Sequence, residues 1–144
     1  MAFEGPAEDR LAIRELTETY ADAVCRNDVE AWKSTWMEES LWSFPDVPQL
    51  GSIRGRQAIC DTWTAIMRGL PGLVLSSIPG SLKVEGDSAT GCCYVADVYD
   101  DSSGHCVRSH GRYDDVFAKS HGKWRFVSRT FTSLYPKPSV AAAR

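Results

Sequence analysis

The sequence predicts an α+β domain, and three observations carry that prediction. Apolar residues recur at a helical period of about 3.6 in the stretches before Gly69, and from Leu73 onward the period falls to about 2 with many β-branched and aromatic residues. Helices grouped ahead of strands imply about three N-terminal helices packed on one face of a curved antiparallel sheet. A chain of 144 residues suits one such domain with one core.

Residues 1–8 contain a Gly-Pro pair and are expected to be a flexible arm. A first helix is expected from Glu8 to Arg26, because Ile13, Leu16, Tyr20, Ala23 and Val24 form one apolar stripe. The helix breaks at Arg26-Asn27-Asp28, and the Asp28 carboxylate can cap a second helix whose buried stripe is Val29, Trp32 and Trp36. Glu38, Glu39 and Ser40 end that helix, and Leu41 to Phe44 reads as a short strand stopped by Pro45. Residues 45–56 hold two prolines and two glycines and are expected to be a surface loop framing a pocket mouth. A third helix covers Gln57 to Arg68, with Ile59, Trp63, Ile66 and Met67 inward and Gly69 placed to end it in a left-handed conformation.

Four strands follow, at 73–78, at 81–86 merging through a Gly86-Asp87 turn into 89–99, at 105–119 and at 123–132. The turns at residues 100–104 and 120–123 make consecutive antiparallel hairpins. Residues 134–144 are expected to form a mobile tail.

Charge and cysteine content narrow the function. A net charge of -3 with no basic run argues against nucleic-acid binding. The five cysteines are an odd set without CxxC spacing, as expected of reduced thiols in a cytoplasmic protein. No secretory leader is legible at the N-terminus, and no apolar run approaches the roughly 18 residues of a membrane span. Neither a metal-ligand nor a nucleotide-binding signature is present, so neither metal nor cofactor is expected.

Polar groups set within apolar strands and helices are the candidates for chemistry. Tyr20 lies on the inward stripe of the first helix, and its buried phenol needs a hydrogen-bond partner or a ligand. Asp97 shares a strand side with Cys93, Val95 and Tyr99, which makes it either a general base or the partner of Arg108 or Arg112 on the next strand. His110 shares a side with Cys106, Arg108, Arg112 and Asp114 unless a bulge at Gly111 resets the register, and as the one histidine outside a predicted turn it is either a candidate proton carrier or a histidine hydrogen-bonded within the sheet. Trp42, Phe44, Trp63 and Tyr94 are candidates to line a hydrophobic pocket.

The order of elements, together with AIRELTETYADAVCRNDVEAWKSTW, GSIRGRQAICDTW and HGRYDDVFAKSHGKWRFVSRTF, resembles the SnoaL-like branch of the NTF2-like superfamily over residues 9–133. The resemblance implies a cone-shaped α+β barrel with a small-molecule pocket between the first helices and the sheet. It also implies a homo-oligomer, dimer or trimer. Dehydratases of this kind pair a first-helix aspartate with a strand histidine; those positions fall here on Cys25 and on Ser77 or Ser76. Ketosteroid isomerase relatives hold the oxyanion with a tyrosine and a protonated aspartate, positions that fall on Tyr20 and Asp114. Their base falls on Phe44, with Asp46 two residues further on.

Two functional expectations follow. The first is a lyase or isomerase, of dehydratase, isomerase or cyclase type, acting on a hydrophobic cyclic or aromatic molecule by cofactor-independent proton transfer. The second is a non-catalytic ligand-binding or partner-subunit module, such as a dioxygenase small subunit.

Overall fold

The computed structural model describes residues 2–137. Its elements run β1 (Phe3–Glu4), α1 (Ala7–Arg26), α2 (Val29–Ser34), β2 (Trp36–Phe44), β3 (Gly51–Arg54), α3 (Arg56–Arg68), β4 (Val74–Glu85), β5 (Ser88–Asp100), β6 (Cys106–Ser120) and β7 (Lys123–Tyr135). The strands form one curved, unclosed sheet in the order β1-β4-β5-β6-β7-β2-β3, and the three helices pack on one face of it. The α+β architecture expected from the sequence is the one observed.

Local chemistry explains the helical half. Helix α1 ends because Asn27 takes a left-handed conformation, φ 51°, from which its N–H reaches the Ala23 and Val24 carbonyls. Asp28 then caps α2 by accepting the Ala31 N–H at 3.0 Å. Asp9, in the first turn of α1, accepts from Lys119 Nζ at 3.0 Å and Trp124 Nε1 at 2.9 Å, tying the helix to β6 and β7. Those two bonds hold its carboxyl below the usual value.

Several boundaries differ from the sequence expectation. Phe3 and Glu4 do not belong to a loose arm but pair in parallel with Leu82 and Lys83, a strand too short to show any alternation. Gly5 follows at φ 102°, with the Val84 side chain 2.7 Å from where a Cβ would sit, so only glycine lets the chain turn there. Helix α2 stops at Ser34, where the Thr35 hydroxyl bonds back to the Trp32 carbonyl at 2.7 Å. Trp36 therefore opens β2 opposite Phe126 rather than closing a helix. It still reaches Trp32, at 5.7 Å between ring centroids, which is why helical spacing fitted it.

Strand β3 lies inside the predicted loop and pairs with Leu41 to Phe44, while β4 is one strand whose register shifts between Pro79 and Leu82. Gly69 ends α3 in a right-handed conformation, φ -87°, its N–H bonding the Ile66 carbonyl. Residues 134 and 135 belong to β7; the remainder of the predicted tail from 138 onward lies outside the described residues. Among the described residues no helix is long and apolar enough to cross a membrane.

The core is aromatic. Trp32 stacks on Trp63 at 4.5 Å and 8° between planes, joining α2 to α3, and Tyr20 meets Trp32 at 5.3 Å, joining α1. Beneath them lies a buried ion pair. Arg129 on β7 and Asp115 on β6 stand directly opposite each other and are 0% and 3% exposed, with Nε–Oδ1 and Nη2–Oδ2 distances of 2.7 and 3.1 Å.

This pairing predicts an asymmetric mutational result. Arg129→Met alone, which strands a buried carboxylate, is expected to cost about 3–5 kcal/mol in urea unfolding. Combining it with Asp115→Leu is expected to recover most of that loss, and a double variant as unstable as the single one would contradict the assignment.

Candidate active site

The helices and the inner face of the sheet frame a half-open cavity of about 260 Å³. Strand alternation determines which side chains reach it. On β5 the odd positions Val95, Asp97 and Tyr99 point inward; on β6 so do Ser109 and Tyr113, because β5 and β6 pair without a break in register from Ser88 to Asp100. Helix α1 supplies Tyr20 and Val24, α3 supplies Trp63, Ile66 and Met67, β2 supplies Trp42 and Phe44, and β7 supplies Phe131. The lining is apolar apart from the Tyr99 phenol and two polar stations.

One station is a pair of phenols. Tyr113 accepts a hydrogen bond from Trp42 Nε1 at 3.1 Å, and its hydroxyl also interacts with that of Tyr20. Tyr20 lies edge-on beside it at 6.4 Å between centroids. Behind both rings sits the Arg129 guanidinium, 3.8 Å from the Tyr113 centroid, 4.4 Å from Tyr20 and 4.2 Å from Phe126. Burial pushes the Tyr20 hydroxyl well above its ordinary value, helped by the neighbouring Tyr113, and Arg129 pulls the other way. The Tyr113 hydroxyl is also raised by burial against the opposing pull of Arg129 and the Trp42 bond. Arg129 itself is held charged, since Asp115 and the two phenols outweigh the cost of its burial. The second station is Asp97, half-buried, whose Oδ1 accepts a hydrogen bond from the Ser109 hydroxyl.

Of the residues singled out in the sequence, Tyr20, Asp97, Trp42, Phe44 and Trp63 meet in this cavity. The others do not. His110 is exposed on the opposite face of the sheet, its ring 6.2 Å from Tyr135. The reason is parity, since even positions of β6 point outward and the pairing with β5 has no bulge to reset them. Tyr94 and Asp114 share that outer face, along a groove of about 610 Å³, where Asp114 pairs with Arg112 at 3.1 Å. Arg112 is thereby spent on Asp114, and Asp97 takes Ser109 instead of either predicted arginine.

The positions onto which the sequence resemblance carries the dehydratase dyad make other contacts. Cys25 bonds through its sulfur to the Leu75 main chain, at 3.3 Å to both N and O. Ser77 is half-buried on β4 but does not line the cavity. Asp46, near the position of the isomerase base, accepts the Ser133 N–H at 2.9 Å. Among the described residues no three His, Cys, Asp or Glu side chains gather closely enough to share a metal ion.

Comparison with known proteins agrees with this geometry. Residues 6–130 match the SnoaL-like domain. The chain belongs to the SnoaL-like family. Among solved structures, this SnoaL-like protein is similar to a variant of Rv3472 from Mycobacterium tuberculosis, of unknown function, at 26% identity and TM-score 0.75, covering 94% of this chain and 83% of that one. It is similar in fold to LinA, at 18% identity, 92% and 90% coverage and TM-score 0.80. A candidate scytalone dehydratase from Novosphingobium aromaticivorans also shares the fold, at 19% identity, 88% and 84% coverage and TM-score 0.74. No curated protein matches the sequence significantly.

Burial of the two phenols sets an expectation for alkaline titration. A raised phenol contributes stability that is present below the ordinary tyrosine value, about 10, and is lost as pH climbs through the folded-state value. Of the five tyrosines, Tyr20 and Tyr113 are expected to give their phenolate absorbance only as the fold opens in alkali. Tyr20→Phe and Tyr113→Phe should each remove one late-titrating group; loss of a group that titrates before unfolding would contradict this.

Proposed function

We propose that this protein is a cofactor-independent lyase or isomerase acting by proton transfer on a small hydrophobic cyclic or aromatic molecule that carries a carbonyl group. The observation that carries the reading is the company Asp97 keeps: a carboxylate opens into the same apolar cavity as two phenols backed by a buried cation. Tyr113 lies four residues along β6 from Ser109, the cross-strand neighbour of Asp97, about 13 Å between Cα positions. The Tyr113 and Asp97 side chains both extend from those positions into the one cavity.

The chemistry then runs in two steps. Asp97 takes a proton from the carbon next to the carbonyl, and the C–H electron pair moves into an enolate whose oxygen accepts from the Tyr113 and Tyr20 hydroxyls. Where the substrate has a carbon–carbon double bond beside the acidic carbon, the dienolate regains the proton at the far end of that double bond, which is isomerisation; where it has a β-hydroxyl, the enolate expels it as water with the proton from Asp97, which is dehydration. Arg129 acts from behind the phenols, since its positive charge favours negative charge gathering on their far side. Membership of a fold that also includes LinA and the Novosphingobium protein supports a lyase-type reaction, although neither dyad residue of the dehydratases is present in this chain.

A second copy of the chain, as a dimer or trimer, belongs to the same proposal. It is supported by Ile78, Tyr94 and Val116, which are exposed on the outer face of the sheet.

Exchange of the α-protons of β-tetralone, a two-ring ketone, in deuterated buffer tests the assignment by NMR. The protein is expected to accelerate exchange over buffer, Asp97→Asn to lose about 100-fold or more of that acceleration, and His110→Ala to retain it. Full activity in Asp97→Asn, or its loss in His110→Ala, would overturn the reading.

A further inference from the structure

We infer that Ser109 is a positioning residue for Asp97, fixing one carboxylate oxygen so that the other is presented to the substrate; this rests on Asp97 as the base. Asp97 and Ser109 are directly opposite each other in the β5–β6 register, and both side chains line the cavity. The serine hydroxyl donates to Oδ1, and among the described residues it is the only hydrogen-bond donor to this carboxylate.

The arginines that could have anchored Asp97 are on the far side of the sheet. Arg112 is paired with Asp114, and Arg108 shares its outward parity. An ion pair with either would have oriented the carboxylate and also suppressed its basicity. A neutral hydroxyl supplies orientation at a smaller cost in basicity.

The bonding arithmetic favours this role. Serine has one proton to give, so it can hold Oδ1 but cannot also cover Oδ2. Oδ2 therefore remains an acceptor, on a side chain that lines the cavity. When Oδ2 takes a proton from carbon, the Ser109 bond to Oδ1 need not break, and the carboxyl keeps its orientation for returning that proton. Without Ser109 the aspartate side chain rotates about its terminal bonds, and a base displaced by about 1 Å loses on the order of 100-fold in rate. Position 109 also tolerates the experiment, because it is only half-buried and its substitution removes a single atom.

The test uses the β-tetralone exchange assay together with quenching of tryptophan fluorescence, since Trp42 and Trp63 line the cavity. Ser109→Ala is expected to lower the saturated exchange rate by about 10- to 100-fold while leaving the KM and the dissociation constant of β-tetralone within about twofold. Ser109→Thr, which keeps the hydroxyl, should restore most of the rate, and Ser109→Cys, a weak donor, should follow the alanine variant. A Ser109→Ala protein with an unchanged saturated rate, while Asp97→Asn is inactive, would overturn the inference and leave the proposed base standing. A fall in rate matched by weaker binding, or the absence of rescue by threonine, would likewise overturn it by marking Ser109 as a packing residue. Activity persisting in Asp97→Asn would remove the base and this inference together.

Discussion

The buried pair between Arg129 and Asp115 is the constraint on which the rest of the structure depends. A guanidinium with 0% exposure is tolerable only where its charge is matched and its faces are covered, and the fold meets both needs. Asp115 takes two of its N–H groups from the neighbouring strand, while Tyr20, Tyr113 and Phe126 cover its plane. Such a pair contributes little net stability over an apolar replacement. What it favours is the native register, because a slip of one residue between β6 and β7 would turn one of the two charges to the outer face and leave the other buried without its partner. It therefore fixes the register that puts Tyr113 beside Tyr20 under the cavity.

Much of this fold was legible in the sequence because the signals were local. The Ile13-to-Val24 stripe, the Asp28 cap and the two hairpin turns each depend on a few neighbouring residues, and each forms as read. Trp36 shows the limit. Four residues after Trp32, it satisfies a helical stripe and an aromatic cluster equally well, and only the pairing with Phe126 decides that it is a strand residue.

The site was half legible for a related reason. Alternation sorts β6 into two sets but does not say which set faces the helices. His110 drew attention because imidazole is a common proton carrier, although its set holds Arg108, Arg112 and Asp114. The opposite set, Val107, Tyr113 and Phe117, carries the bulky apolar groups that mark a core face, and that signal would have revealed Ser109, Tyr113 and Asp115. Arg129 could not be found this way, since an arginine in a strand normally reads as outward-facing. Membership of the SnoaL-like family is compatible with several chemistries. Cys25, onto which the sequence resemblance carries the dehydratase aspartate, is engaged with the β4 main chain.

The most direct test of the central claim, that chemistry resides in the cavity between the phenol pair and Asp97, is a crystal structure with β-tetralone bound. The account predicts the carbonyl oxygen at about 2.5–3.0 Å from the Tyr113 or Tyr20 hydroxyl, with the carbon between carbonyl and aromatic ring facing Asp97 Oδ2. A ketone seated on the outer face of the sheet over Arg112 and Asp114, or turned within the cavity so that its carbonyl meets neither phenol, would contradict it.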